Sequence, residues 1–567
     1  MTSAHSIRVA VTQFHVGADI STNLERCLFW LDQAATCKPD LVVLPEFCNH
    51  LSWYDDKQHC FDVSVALGGP FLAAIAARAK ALGCHVVVNC TVQRAGGKAT
   101  GSSLLYGPDG MLLADNTKQI YIGHENDFLE KADSEGPVVA TALGRIGLYA
   151  CMDGVINETP RCLALNGAQL MLNSLNSFAT DEASLHIPVR AAENKVFVVA
   201  ANKVGPLVPE AMIDAISAGT GIPPRFLNGA GESQVVAPDG TVLAKASPDR
   251  EEFVYADIEV AAAHNKQRPD GTDIFASRRP ELYGPIAADP AGQPMPQMSD
   301  TPAVAAAVVC ADPAELAAVL EHLRSAISAG ARLITLPPLA GDITDLPAAV
   351  HRGEEVVAQL AADCGEAWVA TALVRDIAGK PTYCAVLVNA GGVVCEQPQM
   401  HRSERFAFSP VADAFTPVST PWGRVAVVAS DDSIYPETFR LLAMQGVQVA
   451  MVPLSPLEDW ELGTGLLESS AENRINLLVA TDTRQHGPAF ITALPTDFTV
   501  MTQWQERPFD GLLSQPEWHR LAEREAVLVH DVYPFNASNK VVSANTDLLS
   551  DRPWRVCGAI VRRVADI

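Results

Sequence analysis

The 567-residue sequence holds no apolar run approaching the roughly 18–20 residues that a membrane-spanning helix needs, so no transmembrane segment is expected. It holds no basic tract either: 41 Lys and Arg face 66 Asp and Glu, for a formal net charge of −25. A surface of that sign repels phosphate backbones and anionic lipid, which argues against nucleic acid and membranes as partners. No Cys-x-x-Cys pair occurs among the thirteen scattered cysteines, and their number is odd. Both facts speak against a zinc ribbon and against a disulfide framework. The stretch from Met1 to Phe14 lacks the charged, greasy and small-residue regions of a secretory signal, and runs almost at once into Ile7-Arg8-Val9-Ala10-Val11. Reduced thiols and no leader together predict a cytoplasmic protein. No His/Cys cluster offers metal ligands, and no cofactor is expected.

The remaining composition, 48% hydrophobic and 19% charged, is that of a compact chain long enough for two or three domains. It contains an internal repeat. Gly144-Arg145-Ile146-Gly147-Leu148-Tyr149-Ala150-Cys151-Met152-Asp153 reads as a turn and a buried strand ending in polar residues, and Gly423 to Asp432 reads the same way. Glu158 and Glu437 each stand five residues beyond the aspartate, opening a helical stretch. Glu193 follows Cys151 by forty-two residues, and Glu472 follows Ser430 by forty-two. Upstream, Leu41-Val42-Val43-Leu44-Pro45 matches Leu333-Ile334-Thr335-Leu336-Pro337. Agreement in order and spacing at independent places marks a tandem duplication. The Pro/Gly/Asp-rich stretch 287–302 reads as the linker between a domain over 1–286 and a second over 303–567.

Within each half, strands alternate with helices. Arg8–Gln13, Leu41–Leu44 and His85–Cys90 read as strands, with helices over Asn23–Ala35 and Phe71–Leu82, which is the α/β pattern. Ser233–Ala237 and Thr241–Lys245, joined across Pro238-Asp239-Gly240, predict a β-hairpin. The long Gly/Pro-rich connection from Pro206 to Gly231 predicts a lid or a subunit contact.

A lone cysteine at the end of an apolar strand is ordinarily a small core residue. Cys151 has company, however. Glu46 also ends a buried strand, where an acid gains nothing from packing and is costly without a partner. Lys118 follows the strand-like Met111–Ala114. His50, Trp53 and Tyr54 follow Glu46 and are candidates either for a pocket wall or for plain packing.

These residues in this order resemble the nitrilase superfamily, the carbon–nitrogen hydrolases. Leu44-Pro45-Glu46-Phe47, Asp115-Asn116-Thr117-Lys118 and Ala150-Cys151-Met152-Asp153 with Glu158 are similar to its three catalytic motifs. Arg190-Ala191-Ala192-Glu193-Asn194, Ala201-Asn202-Lys203-Val204-Gly205 and Arg278-Arg279-Pro280-Glu281-Leu282-Tyr283 resemble its secondary signatures, so the likeness spans roughly residues 6 to 285. It implies two α-β-β-α sandwich domains in tandem and a Glu46–Lys118–Cys151 triad, with Cys151 as nucleophile. It also implies a second glutamate that holds substrate or water; Glu130 fits best, before Gly136, and Glu125 competes. Ile120 stands where the family often has a histidine.

The implied chemistry is hydrolysis of a non-peptide C–N bond through a cysteine thioester. Met152-Asp153 after the cysteine looks like the amidase and carbamoylase branches, whereas true nitrilases commonly carry Trp-Glu there. A nitrilase acting on nitriles is the alternative, and a non-catalytic scaffold built of two decayed domains is a reading from another class. Small amides, carbamoyl compounds or nitriles are the expected ligands. In the second half, Pro338, Gln399 and Ser430 stand where Glu46, Lys118 and Cys151 do, with Ser409 near the counterpart of Glu130. Neither proline nor glutamine can act as a base for a serine, so the second half is expected to be a silent copy that pairs with the first as an intrachain pseudo-dimer, with further self-association open.

Overall fold

The computed structural model describes residues 6–293, 296 and 298–563. Residues 1–5 of the segment read against a secretory signal, and 294, 295 and 297 of the expected linker, lie outside the described residues. The chain forms two compact units, each an α-β-β-α sandwich. The first comprises Met1–Lys266, Asp497–Ser514 and Val541–Ile567; the second comprises Gln267–Thr496 and Gln515–Lys540.

In the first unit, Ser6–Gln13 pairs antiparallel with Glu252–Glu259 and parallel with Leu41–Val43. The sheet continues through His85–Arg94 to the antiparallel Lys98–Tyr106 and Leu112–Thr117. The second sheet runs from Val138–Thr141 through Gly144–Ala150, Leu170–Ser174 and Phe197–Ala201, the last three parallel, to the hairpin of Gln234–Val236 and Val242–Lys245.

Strand alternation explains the layering. Ile7, Val9 and Val11 point between the sheets with Leu41, Val43, Ile146, Leu148 and Leu172. Ala10, Val42, Val86 and Val88 point the other way, onto the helices Ile20–Ala35 and Pro70–Leu82. The helix Ile20–Ala35 forms because Asn23, Cys27, Trp30, Leu31 and Ala34 make one buried stripe, and Asp19 caps it by accepting from the Thr22 amide at 2.7 Å.

The second unit repeats this plan. Val527–Val532, Val304–Val309, Leu333–Thr335, Trp368–Ile377, Lys380–Asn389 and Gly392–Pro398 make one sheet in that order. Val418–Thr420, Gly423–Val427, Val449–Leu454, Asn476–Thr481, Phe490–Ala493 and Glu517–Arg520 make the other.

The units do not coincide with two consecutive blocks of sequence. Arg278 to Tyr283, read as the closing segment of the first copy, belongs to the second unit. There Tyr283 Oη lies 2.6 Å from His401 Nε2, Arg278 Nε donates to Glu437 at 3.1 Å, and Arg279 reaches the carbonyls of Met400 and Ala412. Conversely, the first unit takes in two late segments. Leu513 and Ser514 donate their amides to the Asp181 carboxylate at 2.9–3.0 Å, and Thr180 donates to the Gly511 carbonyl at 2.9 Å. Thr546 Oγ1 donates to the Tyr121 carbonyl at 3.1 Å and receives the Gly123 amide at 3.2 Å.

Around these anchors Phe498, Val500, Phe509, Leu513, Val542 and Leu548 join Ile120, Met152, Val155 and Ile222 in one apolar cluster. The Pro206–Gly231 connection contributes to it as well. That connection is ordered as a strand pair, Val204–Pro206 with Asn228–Ala230, and a helix over Ile213–Thr220. Phe509 packs against Phe178, Phe226 and Trp504 with ring centroids 4.8–5.9 Å apart. Phe509→Ala is expected to destabilise the first unit by about 3–5 kcal/mol, read by denaturant unfolding. A fragment of residues 1–286, lacking both late segments, should aggregate or be nearly inactive. A monomeric, stable and active fragment would show that those segments are dispensable.

Candidate active site

Three strand ends of the first unit converge. Leu41–Val43 delivers Glu46 through Leu44-Pro45, with the Glu46 amide donating to the Leu175 carbonyl at 3.1 Å and the Ser174 hydroxyl to the Leu44 carbonyl at 2.8 Å. Leu112–Thr117 delivers Lys118, whose amide donates to the Gly101 carbonyl at 2.9 Å. Gly144–Ala150 delivers Cys151. Cys151 itself has φ of 47° and ψ of −110°, a conformation that L-residues rarely adopt outside sharp functional turns. The turn is held by the Cys151 amide, which donates to the Ser174 carbonyl and Asn173 Oδ1 at 3.1 Å each. Phe47, next to Glu46, is also left-handed at φ 49°, with its amide on Asn89 Oδ1 at 3.0 Å.

Lys118 Nζ donates to Glu46 Oε1 at 2.9 Å and to Glu125 Oε2 at 3.0 Å, with both the lysine and Glu46 sealed from solvent. The rings of Phe47 and Tyr121 lie 5.6 and 5.4 Å from the ammonium. Gly101 makes room for them: a Cβ there would stand 2.9 Å from Phe47 and 3.3 Å from Tyr121. Glu46 Oε2 is buried and has no hydrogen-bond partner.

Burial pushes the Glu46 carboxyl up to about 7, with Lys118 opposing and Glu125 reinforcing the rise. Burial likewise opposes the charge of Lys118, but Glu125, Glu46, Cys151 and Asp153 outweigh it and hold the ammonium well above its ordinary range. Burial and the nearby Glu46 raise the Cys151 thiol, against the pull of Lys118. The resting site therefore holds a neutral thiol beside a carboxyl poised near neutrality.

Asp153 locks two of the strands together. Its Oδ1 accepts the Gln119 and Ile120 amides at 3.0 and 2.8 Å, and its Oδ2 accepts the Ala150 amide at 3.3 Å. Lys203, in the loop after Phe197–Ala201, is a second buried lysine; its Nζ donates to the Phe47 carbonyl at 3.3 Å, and burial lowers it to about 8.

Glu46, Lys118 and Cys151 thus come together, and Glu130 does not join them. Its side chain is 48% exposed and pairs with Lys98 at 3.3 Å. The expectation for Glu130 is corrected in favour of Glu125, which the short helix Glu125–Phe128 turns inward. There Ser52 Oγ and the Ile122 amide approach its carboxylate at 3.5 and 3.4 Å. Of the aromatic candidates, Trp53 packs with the apolar cluster around Met152, and Tyr54 packs with Phe47, Tyr121 and Leu129. His50 is buried with Nδ1 2.7 Å from the Leu51 carbonyl. The contributions from Phe498, Phe509 and Val542 were not anticipated.

At the corresponding place in the second unit, Asp432 accepts the Met400 and His401 amides and lies 2.8 Å from His401 Nδ1, as Asp153 does for its own loop. The other side chains of this place differ from those of the first unit. Gln399 turns its amide onto the His401 carbonyl at 2.9 Å and Ser403 Oγ at 3.2 Å. Ser430 opens a 3-10 turn with no left-handed backbone, and its hydroxyl receives the Ser455 amide at 2.9 Å and Arg405 Nη2 at 3.1 Å.

Comparison with known proteins agrees with this duplication. The carbon–nitrogen hydrolase family model matches residues 8–266 and again 297–490. A nitrilase of Pyrococcus abyssi is 28% identical over 255 residues, covering 45% of this chain and 89% of its own. An omega-amidase of Homo sapiens is 28% identical over 292 residues, covering 49% of this chain and 97% of its own. Among solved structures, an amidase from a Nesterenkonia species is 24% identical with a TM-score of 0.40, over 49% of this chain and 98% of that one. With one match in each repeat, the chain belongs to the carbon–nitrogen hydrolase family of the nitrilase superfamily.

Proposed function

We propose that the first unit hydrolyses a small amide or carbamoyl compound, with Cys151 as nucleophile, Glu46 as general base and acid, and Lys118 as the fixed positive charge. The observation that carries this reading is the buried Glu46–Lys118–Glu125 array beside a cysteine on a left-handed turn. Glu46 Oε2, free of other partners, takes the thiol proton as Sγ bonds to the carbonyl carbon. The carbonyl oxygen becomes an oxyanion, stabilised by Lys118 Nζ and the backbone N–H of Met152. The tetrahedral intermediate collapses as the C–N bond breaks and the nitrogen takes the proton back from Glu46, leaving a thioester and free ammonia or amine. Water, held by Glu125 and deprotonated by Glu46, then attacks the thioester; the acid leaves and Sγ regains its proton. Met152-Asp153 after the nucleophile favours amides over nitriles, and an excess of nitrile turnover over the matching amide would overturn that preference.

The second unit is proposed to be catalytically silent, because Pro338, Gln399 and Ser430 supply neither base, nor cation, nor a turned nucleophile. We further propose that it serves the first unit as a fused partner, and that the chain works in the cytoplasm.

Four outcomes test these assignments. Cys151→Ala should abolish ammonia release while the melting temperature changes little, and mass spectrometry should find the acyl adduct of slow substrates on Cys151 alone. Full turnover in this variant would sink the proposal. Glu125→Gln should lower kcat about 10²–10⁴-fold, whereas Glu130→Gln should stay within about twofold. Because Glu46 acts as a base and burial raises it to about 7, kcat/KM should climb as pH rises through about 7 and level off above it. Ser430→Ala should leave turnover unchanged; a loss at fixed stability would assign chemistry to the second unit.

A further inference from the structure

The second unit has lost the triad but kept a hollow. A cavity of about 480 Å³ lies there, within the range of about 300–1,000 Å³ usual for small-molecule sites. Pro338, the counterpart of Glu46, is part of its wall, with Arg352, Arg405, Tyr383, Ser455 and Asp482. Phe406 stacks on Tyr383 at 3.7 Å and 9°, giving the cavity a flat apolar side.

The polar groups of this wall are held firmly yet left incompletely paired. Arg405 is fixed through Nε to Asp431 Oδ2 at 2.9 Å and through Nη2 to Asp431 and the Ser455 carbonyl, and Arg268 grips the same Asp431 at 2.7 Å. These bonds leave Nη1 of Arg405 without a partner among the described residues. Tyr383, only 1% exposed, has a buried hydroxyl with no partner. Arg352 donates from Nη2 to the Pro313 carbonyl at 2.5 Å, but its Nε is buried and unpaired, and no carboxylate neutralises it. Asp482 accepts from Ser455 Oγ through Oδ2 at 2.5 Å; its Oδ1 is buried without a hydrogen-bond partner among the described residues, and Arg405 acts on it through its field alone, with no direct ion pair. Leaving such groups buried without partners costs about 1–3 kcal/mol each, a cost that a suitably shaped guest relieves. Asp342 also lines the hollow, but it is exposed and its carboxylate is engaged by Thr344 at 2.7–2.9 Å.

The wall thus offers one guanidinium and one carboxylate, each buried with an unused hydrogen-bonding atom, bridged by an aromatic face. We propose that the second unit binds a small zwitterion of amino-acid type, its carboxylate on Arg352, Arg405 Nη1 and the Tyr383 hydroxyl, its ammonium on Asp482 Oδ1, and its methylenes along Phe406 and Ile343. Burial raises the Asp482 carboxyl above its ordinary value, as expected of an acid awaiting a cation. The cation of such a guest would restore its charge.

Titration calorimetry on the full chain tests this with 4-aminobutyrate and 5-aminovalerate as probes, and with butyrate and butylamine as single-charge controls. One-site binding is expected, with each control at least about tenfold weaker, a difference of about 1.4 kcal/mol. Arg352→Gln and Asp482→Asn should abolish it, Tyr383→Phe should weaken it several-fold, and Cys151→Ala should leave it intact. Absence of heat from both zwitterions up to about 10 mM, or butyrate binding as tightly, would overturn the proposal. So would binding that disappears in Cys151→Ala, because that places the guest in the first unit. Should either charge variant fail to fold by circular dichroism, Tyr383→Phe decides, since it removes one oxygen and no packing. Unchanged affinity in that variant counts against the site.

Discussion

A lysine ammonium shut away from water between two carboxylates sets the terms for everything around it. Alone, Lys118 would lose its proton to the low-dielectric interior, and Glu46 would be forced neutral. Together, burial and the neighbouring Glu125 raise Glu46 to about 7 against the pull of Lys118. The arrangement also explains why the cysteine rests as a thiol. Burial and the field of Glu46 outweigh the pull of Lys118, so the thiol keeps its proton. Removing one member of such a buried set costs about 3–5 kcal/mol, which ties the fold of the site to its chemistry.

The array survives because the strands that bring it together are braced from outside the triad. Asp153 spends its carboxylate on three backbone amides, fixing the Lys118 loop to the Cys151 turn. Asp432 does the same in the second unit, where there is no triad to position. The aspartate therefore answers to the fold and is present in both copies, whereas the lysine, glutamate and cysteine stand in the first copy alone. This division explains how the second copy can differ at those three positions while its sheets keep the same strand order.

Much of this architecture was legible in the sequence, for identifiable reasons. Alternating apolar residues in Ile7-Arg8-Val9-Ala10-Val11 announce a strand with two buried faces, and the repeated spacing from Cys151 to Glu193 and from Ser430 to Glu472 announces two copies of one sandwich. The choice between Glu125 and Glu130 was not legible, because interval alone does not say which way a side chain points. A four-residue helix, Glu125–Phe128, turns one glutamate in and leaves the other on the surface. The membership of the units was hidden as well. Arg278 to Tyr283 reads as the end of the first copy, yet Tyr283 meets His401, and no local pattern encodes the route a chain takes to its partner.

One signal of that route was nevertheless present as a difference in length. In the first copy, the hairpin Gln234–Val236 and Val242–Lys245 turns across a short loop, as hairpins usually do. In the second copy, the matching pair Phe490–Ala493 and Glu517–Arg520 is separated by an insertion carrying Phe498, Val500, Trp504, Phe509 and Leu513. A loop that long and that rich in large apolar side chains cannot remain in water at no cost, so it must find a core. It finds one in the first unit, with Met152 and Val155, close in sequence to Cys151. The insertion that interrupts the second copy's strand pair therefore completes an apolar cluster of the first unit, so the folding of that unit depends on chain from beyond its own repeat.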